Sequence, residues 1–177
     1  MFDLAERLRS GDTGAFEALF NKYEKQVYRT AYLITGDREE AKDVLQEVFV
    51  AVWKWRHTYN PQKGEFATWL HRITLNKCSK KRRKRRVIFS SLEEEENIGY
   101  YPNTENLPED IIISREEYER LMKALSSLDT KHRSVLVLRF FNELSYDQIA
   151  SIVGISLGTV KSRIHYALKA LREELAT

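Results

Sequence analysis

Between Thr13 and Gly36 the apolar residues Phe16, Leu19, Phe20, Tyr23, Val27, Ala31 and Ile34 recur at steps of three and four, with charged and polar residues between them. That period lays one apolar stripe along a helix, which Gly36 closes. A second helix opens at Asp37, a capping residue with Glu40 three positions on to answer it. Ala41, Val44, Leu45, Val48, Phe49 and Val52 carry the same period to about Trp55. "TYNPQKGE" then breaks it, Pro61 and Gly64 marking an exposed loop. A third helix starts near Phe66, with Phe66, Trp69, Leu70 and Ile73 as its apolar side. Three helices with short connections predict a bundle.

From Val87 to about Arg115 the periodicity lapses. "SLEEEENIGYYPNTENLPED" mixes an acidic block with Gly99, Pro102, Pro108 and several Asn, the composition of a flexible linker. Helical period returns at Tyr118, Leu121, Met122, Leu125 and Leu128, and again from Val135 to Phe140. The chain therefore reads as all-α: an N-terminal bundle of three to four helices over 1–86, an acidic linker over 87–115, and a second small helical domain over 116–177.

The last segment, "SYDQIASIVGISLGTVKSRIHYALKALREEL", is the most specific. Ser145 and Gln148 form a capping box that starts a short helix. Ile149 and Val153 face inward, and Ala150 is small where a second helix passes close. Gly154 sits at the turn, where a positive φ is favoured. Ser156 caps a second helix whose buried stripe is Val160, Ile164, Ala167, Leu168, Leu171 and Leu175. This is a helix-turn-helix, an arrangement whose second helix enters the major groove of DNA. At 100° per residue the opposite face carries Gly158, Lys161, Ser162, His165, Tyr166 and Lys169, with Arg163 on the flank. Lys161, Ser162, His165 and Tyr166 suit base edges or phosphates. An ordinary helical hairpin with a polar outer face is the plainer alternative.

Charge sharpens this picture. The formal net charge of the 177 residues is only +3, yet Lys+Arg stand 19 against 11 Asp+Glu over 1–86, 1 against 7 over 87–115, and 9 against 8 beyond. Most of the excess lies in "KCSKKRRKRR" (77–86), where eight of ten residues are basic. A basic first unit beside an acidic middle suggests a polyanion partner. The four histidines, His57, His71, His132 and His165, lack metal-ligand spacing, and no cofactor is expected. The lone Cys78 excludes an internal disulfide. No apolar run is long enough to span a membrane, and "MFDLAERLRSGD" has neither part of an export signal, so membrane insertion is not expected and a cytoplasmic protein is.

"EEAKDVLQEVFVAVWKW" (39–55), "FATWLHRITLNKCSKKRRKRR" (66–86) and "ELSYDQIASIVGISLGTVKSRIHYALKALREEL" (143–175) together resemble the extracytoplasmic-function group of bacterial sigma factors, the promoter-specificity subunits of RNA polymerase. The resemblance implies a region 2-like domain, a linker that threads polymerase channels, and a region 4-like helix-turn-helix domain. It implies that Asp43, Gln46, Glu47, Val50 and Trp53 meet the clamp helices of the largest polymerase subunit. A solvated acidic helix face is the reading without it. It further implies that Asn60, Lys63, Phe66, Trp69, Arg72, Asn76, Lys77, Lys80 and Arg83 serve the minus-ten element, with Asn76 at a pocket for an unpaired base and the cations on phosphates. For Phe66 and Trp69 the apolar spacing favours core packing over base contact. Ser156, Thr159, Lys161, Ser162, Arg163, His165 and Tyr166 are implied at the minus-thirty-five element. One departure stands out: Tyr166 occupies a place where the family usually has arginine.

The resemblance also implies the partners: core RNA polymerase, promoter DNA and an anti-sigma protein. The expected activity is promoter-specific initiation, without catalysis by this chain. A freestanding helix-turn-helix regulator remains the alternative; it explains 145–175 and leaves the acidic helix face and the aromatic third helix unused. A metal-dependent nucleic-acid enzyme lacks a ligand cluster in the sequence.

Overall fold

The computed structural model describes residues 2–90 and 114–176, with side chains at 4–81, 114 and 116–176. Every regular element among them is helical. The acidic stretch expected as a linker lies, over 91–113, outside the described residues.

α1 (Phe2–Arg9) is a two-turn helix that the periodicity did not announce. It is held by burial, since Leu8 and Ala5 are fully enclosed. Asp12 then ends one helix and starts another. Its carboxylate accepts from Ala15 N as the N-cap of α2 (Thr13–Thr35) and pairs with Arg7 of α1 at 2.9 Å. Those two contacts hold its carboxyl below the usual carboxylate range. Along α2, Ala15, Leu19, Tyr23, Val27, Ala31 and Ile34 are buried, and Gly36 closes it at φ 78°. Asp37 caps α3 (Arg38–Trp55) through Glu40 N, and α3 buries Ala41, Val44, Val48, Phe49, Ala51 and Val52. Phe49 takes Phe16 and Phe20 of α2 edge-on, an arrangement the ring quadrupoles favour.

Two single 3₁₀ turns, Arg56–Thr58 and Pro61–Lys63, carry the chain to α4 (Phe66–Ser90). α4 runs four residues past the expected end of the first domain. Phe66, Leu70, His71, Ile73, Thr74, Leu75 and Cys78 are its buried residues among those whose side chains are described.

The second unit starts with α5 (Arg115–Ser127), opened by a complete capping box between Ser114 and Glu117. α6 (Thr130–Leu136), capped by Asp129, widens into a π turn over Val137–Phe141. The extra residue in that turn keeps Val137 and Leu138 inside and leaves Phe140 and Phe141 exposed. α7 (Tyr146–Val153) and α8 (Leu157–Leu175) form the helix-turn-helix. Its signals fall where the sequence places them: the Ser145/Gln148 box, Gly154 at φ 74°, and Ser156 accepting from Thr159 N. The inward residue beside Ile149 is Ile152 at 4% exposure, with Val153 only partly covered.

The two units are docked. Thr30 of α2 exchanges hydrogen bonds with the Asn142 side chain at 3.0 and 3.3 Å. Arg133 of α6 donates Nε to the Leu33 carbonyl, and Arg72 of α4 donates Nη2 to the Ser151 carbonyl of α7 at 2.6 Å. Tyr118 of α5 is buried beside Tyr32, and both burial and that phenol push its hydroxyl above the ordinary tyrosine range.

Candidate nucleic-acid interface

α8 stands as a rod whose inner stripe, Val160, Ile164 and Ala167, is fully buried. The outer face carries Lys161, Ser162, His165, Tyr166 and Lys169, all exposed. Three predicted contact residues have local duties. Ser156 Oγ accepts from Thr159 N and lies 2.8 Å from Thr159 Oγ1, so both hydroxyls serve the cap. Ser162 Oγ donates to the Thr159 carbonyl at 3.0 Å, which leaves its oxygen able to accept. Arg163 is half-buried on the flank.

An open groove of about 710 Å³ runs along this face, lined by His132, Gly158, Lys161, Ser162, Arg163, His165 and Tyr166. His132 comes from α6 and was not foreseen. Its ring lies 4.5 Å from that of Tyr166, tilted by 32°. Asp129 Oδ1 sits 2.8 Å from His132 Nδ1 and fixes the imidazole from behind. Tyr166, 58% exposed, is thus braced on one side and open on the other. No local signal links positions 34 apart; only the packing of α6 on α8 does.

On the first unit, Arg72, Asn76 and Lys80 lie one helical turn apart along the exposed side of α4. Asn76 is open to solvent, whereas Arg72 is engaged with Ser151. Phe66 is 3% exposed, packed against Tyr23, Tyr59 and Trp69. Its ring offers no surface to a base; it supports the half-buried Trp69. Tyr59, itself buried, donates its hydroxyl to the Gly64 carbonyl and ties the loop down. Asn60 accepts from Gln62 N as the cap of the second 3₁₀ turn, and Lys63 is exposed beyond it. Arg83 lies among the positions whose side chains are outside the described residues.

On α3, Asp43, Gln46 and Val50 are exposed and Glu47 partly so. Trp53 is drawn inward: it packs edge-on to Phe16 at 5.4 Å and carries the Arg56 guanidinium 4.4 Å above its ring. The exposed indole of this helix end is Trp55, a residue the sequence reading left out. Asp43 and Glu47 are ion-paired across to α4, Lys77 meeting Glu47 at 3.2 Å and Lys81 meeting Asp43 at 2.9 Å and Glu47 at 3.2 Å. For Glu47, partial burial is outweighed by the two lysines, and its carboxyl titrates below the usual range. Lys81 is shifted upward, by its hydrogen bond to Asp43 against partial burial.

Among the described residues no three His, Cys, Asp or Glu side chains stand close enough to hold a metal ion. None of the described helices is long and apolar enough to cross a membrane.

Two family descriptions match the chain, Sigma-70 region 2 over residues 19–87 and Sigma-70 region 4 over 124–173. The ECF RNA polymerase sigma factor SigW of Bacillus subtilis is 31% identical, covering 96% of this chain and 94% of its own. The ECF RNA polymerase sigma-E factor of Escherichia coli is also 31% identical, over 95% and 90%. CnrH, solved in complex with the cytosolic domain of CnrY, superposes with a TM-score of 0.73 at 28% identity, over 98% and 95% of the two chains. With both regions present in order and relatives matched along nearly their whole length, the chain belongs to the ECF RNA polymerase sigma factors.

Proposed function

We propose that this sigma factor directs initiation by reading the minus-thirty-five element as duplex with α8 and capturing unpaired minus-ten bases beside α4. The observation that carries the reading is the exposed polar face of α8, which presents Lys161, Ser162, His165 and a braced Tyr166 opposite a stripe that buries Val160, Ile164 and Ala167 and half-buries Leu168, Leu171 and Leu175. A helix so presented suits the major groove, where lysine, hydroxyl and imidazole groups meet base edges. Tyr166, in place of the family's usual arginine, offers one hydroxyl and a ring face instead of a guanidinium fork. The element it reads therefore differs from one selected by bidentate contact to guanine.

At the minus-ten element, Asn76 is the amide for a base edge, while Lys63, Arg72, Lys77 and Lys80, with Arg83, hold phosphates. Phe66 acts beneath this surface by positioning Trp69. Core RNA polymerase engages the outer side of α3 through Asp43, Gln46, Glu47 and Val50, with Trp55 at the helix end and Trp53 as its internal brace. Residues 1–86, 87–115 and 116–177 serve as the polymerase- and minus-ten-binding unit, the linker and the minus-thirty-five unit. CnrH is held by the cytosolic domain of CnrY; by likeness, this chain takes an anti-sigma protein as its inhibitor, and it works in the cytoplasm.

The test is transcription from a genomic DNA library with purified core polymerase. Defined start sites that depend on both proteins are expected, and they return the promoter sequence. Tight sequence-specific duplex binding without polymerase, and no polymerase-dependent start sites, would replace this reading by that of a freestanding regulator.

A further inference from the structure

The ion pairs between α3 and α4 join two surfaces that the proposed function gives to different partners. Glu47 and Asp43 belong to the face offered to polymerase, Lys77 and Lys81 to the helix offered to DNA. The side chains of Lys77 and Lys81 are only 19% and 24% exposed, against 43% for Glu47 and 60% for Asp43. The ammonium groups are thus folded back onto α3, while the carboxylates keep much of their surface in water. A carboxylate has about four acceptor sites, so an incoming cation can reach these acids from the solvent side. The lysines are differently placed: while each lies against a carboxylate, its charge is locally cancelled and the neighbouring anion repels a phosphate.

We infer that Asp43 and Glu47 hold Lys77 and Lys81 back from DNA in the free chain, and that a cationic surface of polymerase, by taking the carboxylates, releases both lysines to the phosphates. The inference rests on the two-partner reading above. Coupling of this kind is reciprocal, so DNA bound at the lysines frees the acids for polymerase to the same extent. Half-exposed ion pairs set its size at about three- to tenfold in affinity. Lys80, exposed on the same helix, needs no such release, which makes the device a modulator of grip rather than an on–off gate.

The experiment uses the full chain and a fluorescein-labelled duplex with a single-stranded tail, read by anisotropy at about 50 mM salt, where screening is weak. Glu47→Gln, which removes the carboxylate paired with Lys77 and one of the two paired with Lys81, should tighten binding about two- to fivefold, and Glu17→Gln, an equal charge change on α2, should do much less. In a Lys77→Ala/Lys81→Ala background the gain from Glu47→Gln should vanish. An equal gain in that background, or none in the parent, would overturn the inference. With saturating core polymerase present, the loss caused by Lys77→Ala/Lys81→Ala should grow; a constant loss overturns the release step. Failure of the underlying reading looks different: Glu47→Gln would leave polymerase pull-down unchanged, and the lysine double variant would bind DNA as the parent does both in the Glu47→Gln background and with polymerase present. Circular dichroism confirms that each variant is folded.

Discussion

Arg133 Nε donates to the backbone carbonyl of Leu33, a residue 100 positions earlier in the chain and in the last turn of α2. The guanidinium is 1% exposed. Its charge is tolerated there because the carbonyl end of a helix carries partial negative charge. With Thr30–Asn142 and Arg72–Ser151 it forms a polar seam between two units whose proposed targets lie turns of duplex apart.

Arg133→Ala should loosen that seam. The carbonyl loses a charged donor in a dry place, a change of about 1–3 kcal/mol, visible in urea denaturation. Dyes on Lys54→Cys and Lys169→Cys should report a longer mean distance between the units. The native Cys78 does not compete for dye, since it is fully buried and its thiol is pushed up to about 12 by burial. An unaltered distance would mean that the other contacts suffice to hold the units together.

Lys161→Ala should weaken duplex binding and lower the salt slope by about one, as expected for a lost phosphate contact. Asn76→Ala should leave duplex affinity near that of the parent and reduce affinity for a tailed, partly unpaired probe. Equal losses on both probes for both variants would remove the assignment of separate duplex and single-strand readers.

Gly154→Ala probes the turn of the helix-turn-helix. A Cβ at this position meets nothing within 4 Å, so the cost is that of φ 74° alone. A left-handed alanine costs about 1 kcal/mol, and asparagine less. Thermal unfolding should therefore rank parent above Gly154→Asn above Gly154→Ala, and a neutral alanine would contradict the turn.

His71, 5% exposed on α4, has its pKa lowered by burial to about 4 from 6.5. The folded chain keeps it neutral, while the unfolded chain takes up a proton below about pH 6.5. Its contribution is thus complete above that pH and is lost as the pH falls toward 4, by up to about 3 kcal/mol. His71→Gln should flatten the stability profile across this window, as measured by denaturant titration at several pH values. An unchanged slope would place the titrating group elsewhere.

Local grammar was legible. The caps at Asp37, Ser145 and Ser156 and the left-handed glycines 36 and 154 stand where the sequence puts them, because each is decided by a few neighbouring backbone groups. α1 was not legible, since two turns are too short to show a period and are stabilised by what they pack on. The π turn was missed as well. Its phenylalanines continue the apolar pattern of α6, yet the added residue rotates Phe140 and Phe141 outward.

The same division runs through the candidate interface. By itself the sequence determined that the chain is helical, that its charge is divided along its length, and that α8 has an inner stripe and an outer polar face. These follow from period, composition and caps. Tertiary structure alone decided that Phe66 and Trp53 turn inward while Trp55 turns outward, and that His132 braces Tyr166. It also decided that Lys77 and Lys81 lie on Glu47 and Asp43 and that Arg133 reaches Leu33. A helical period names a face but not its neighbour, and the neighbour sets which aromatic ring is covered and which charge is already paired.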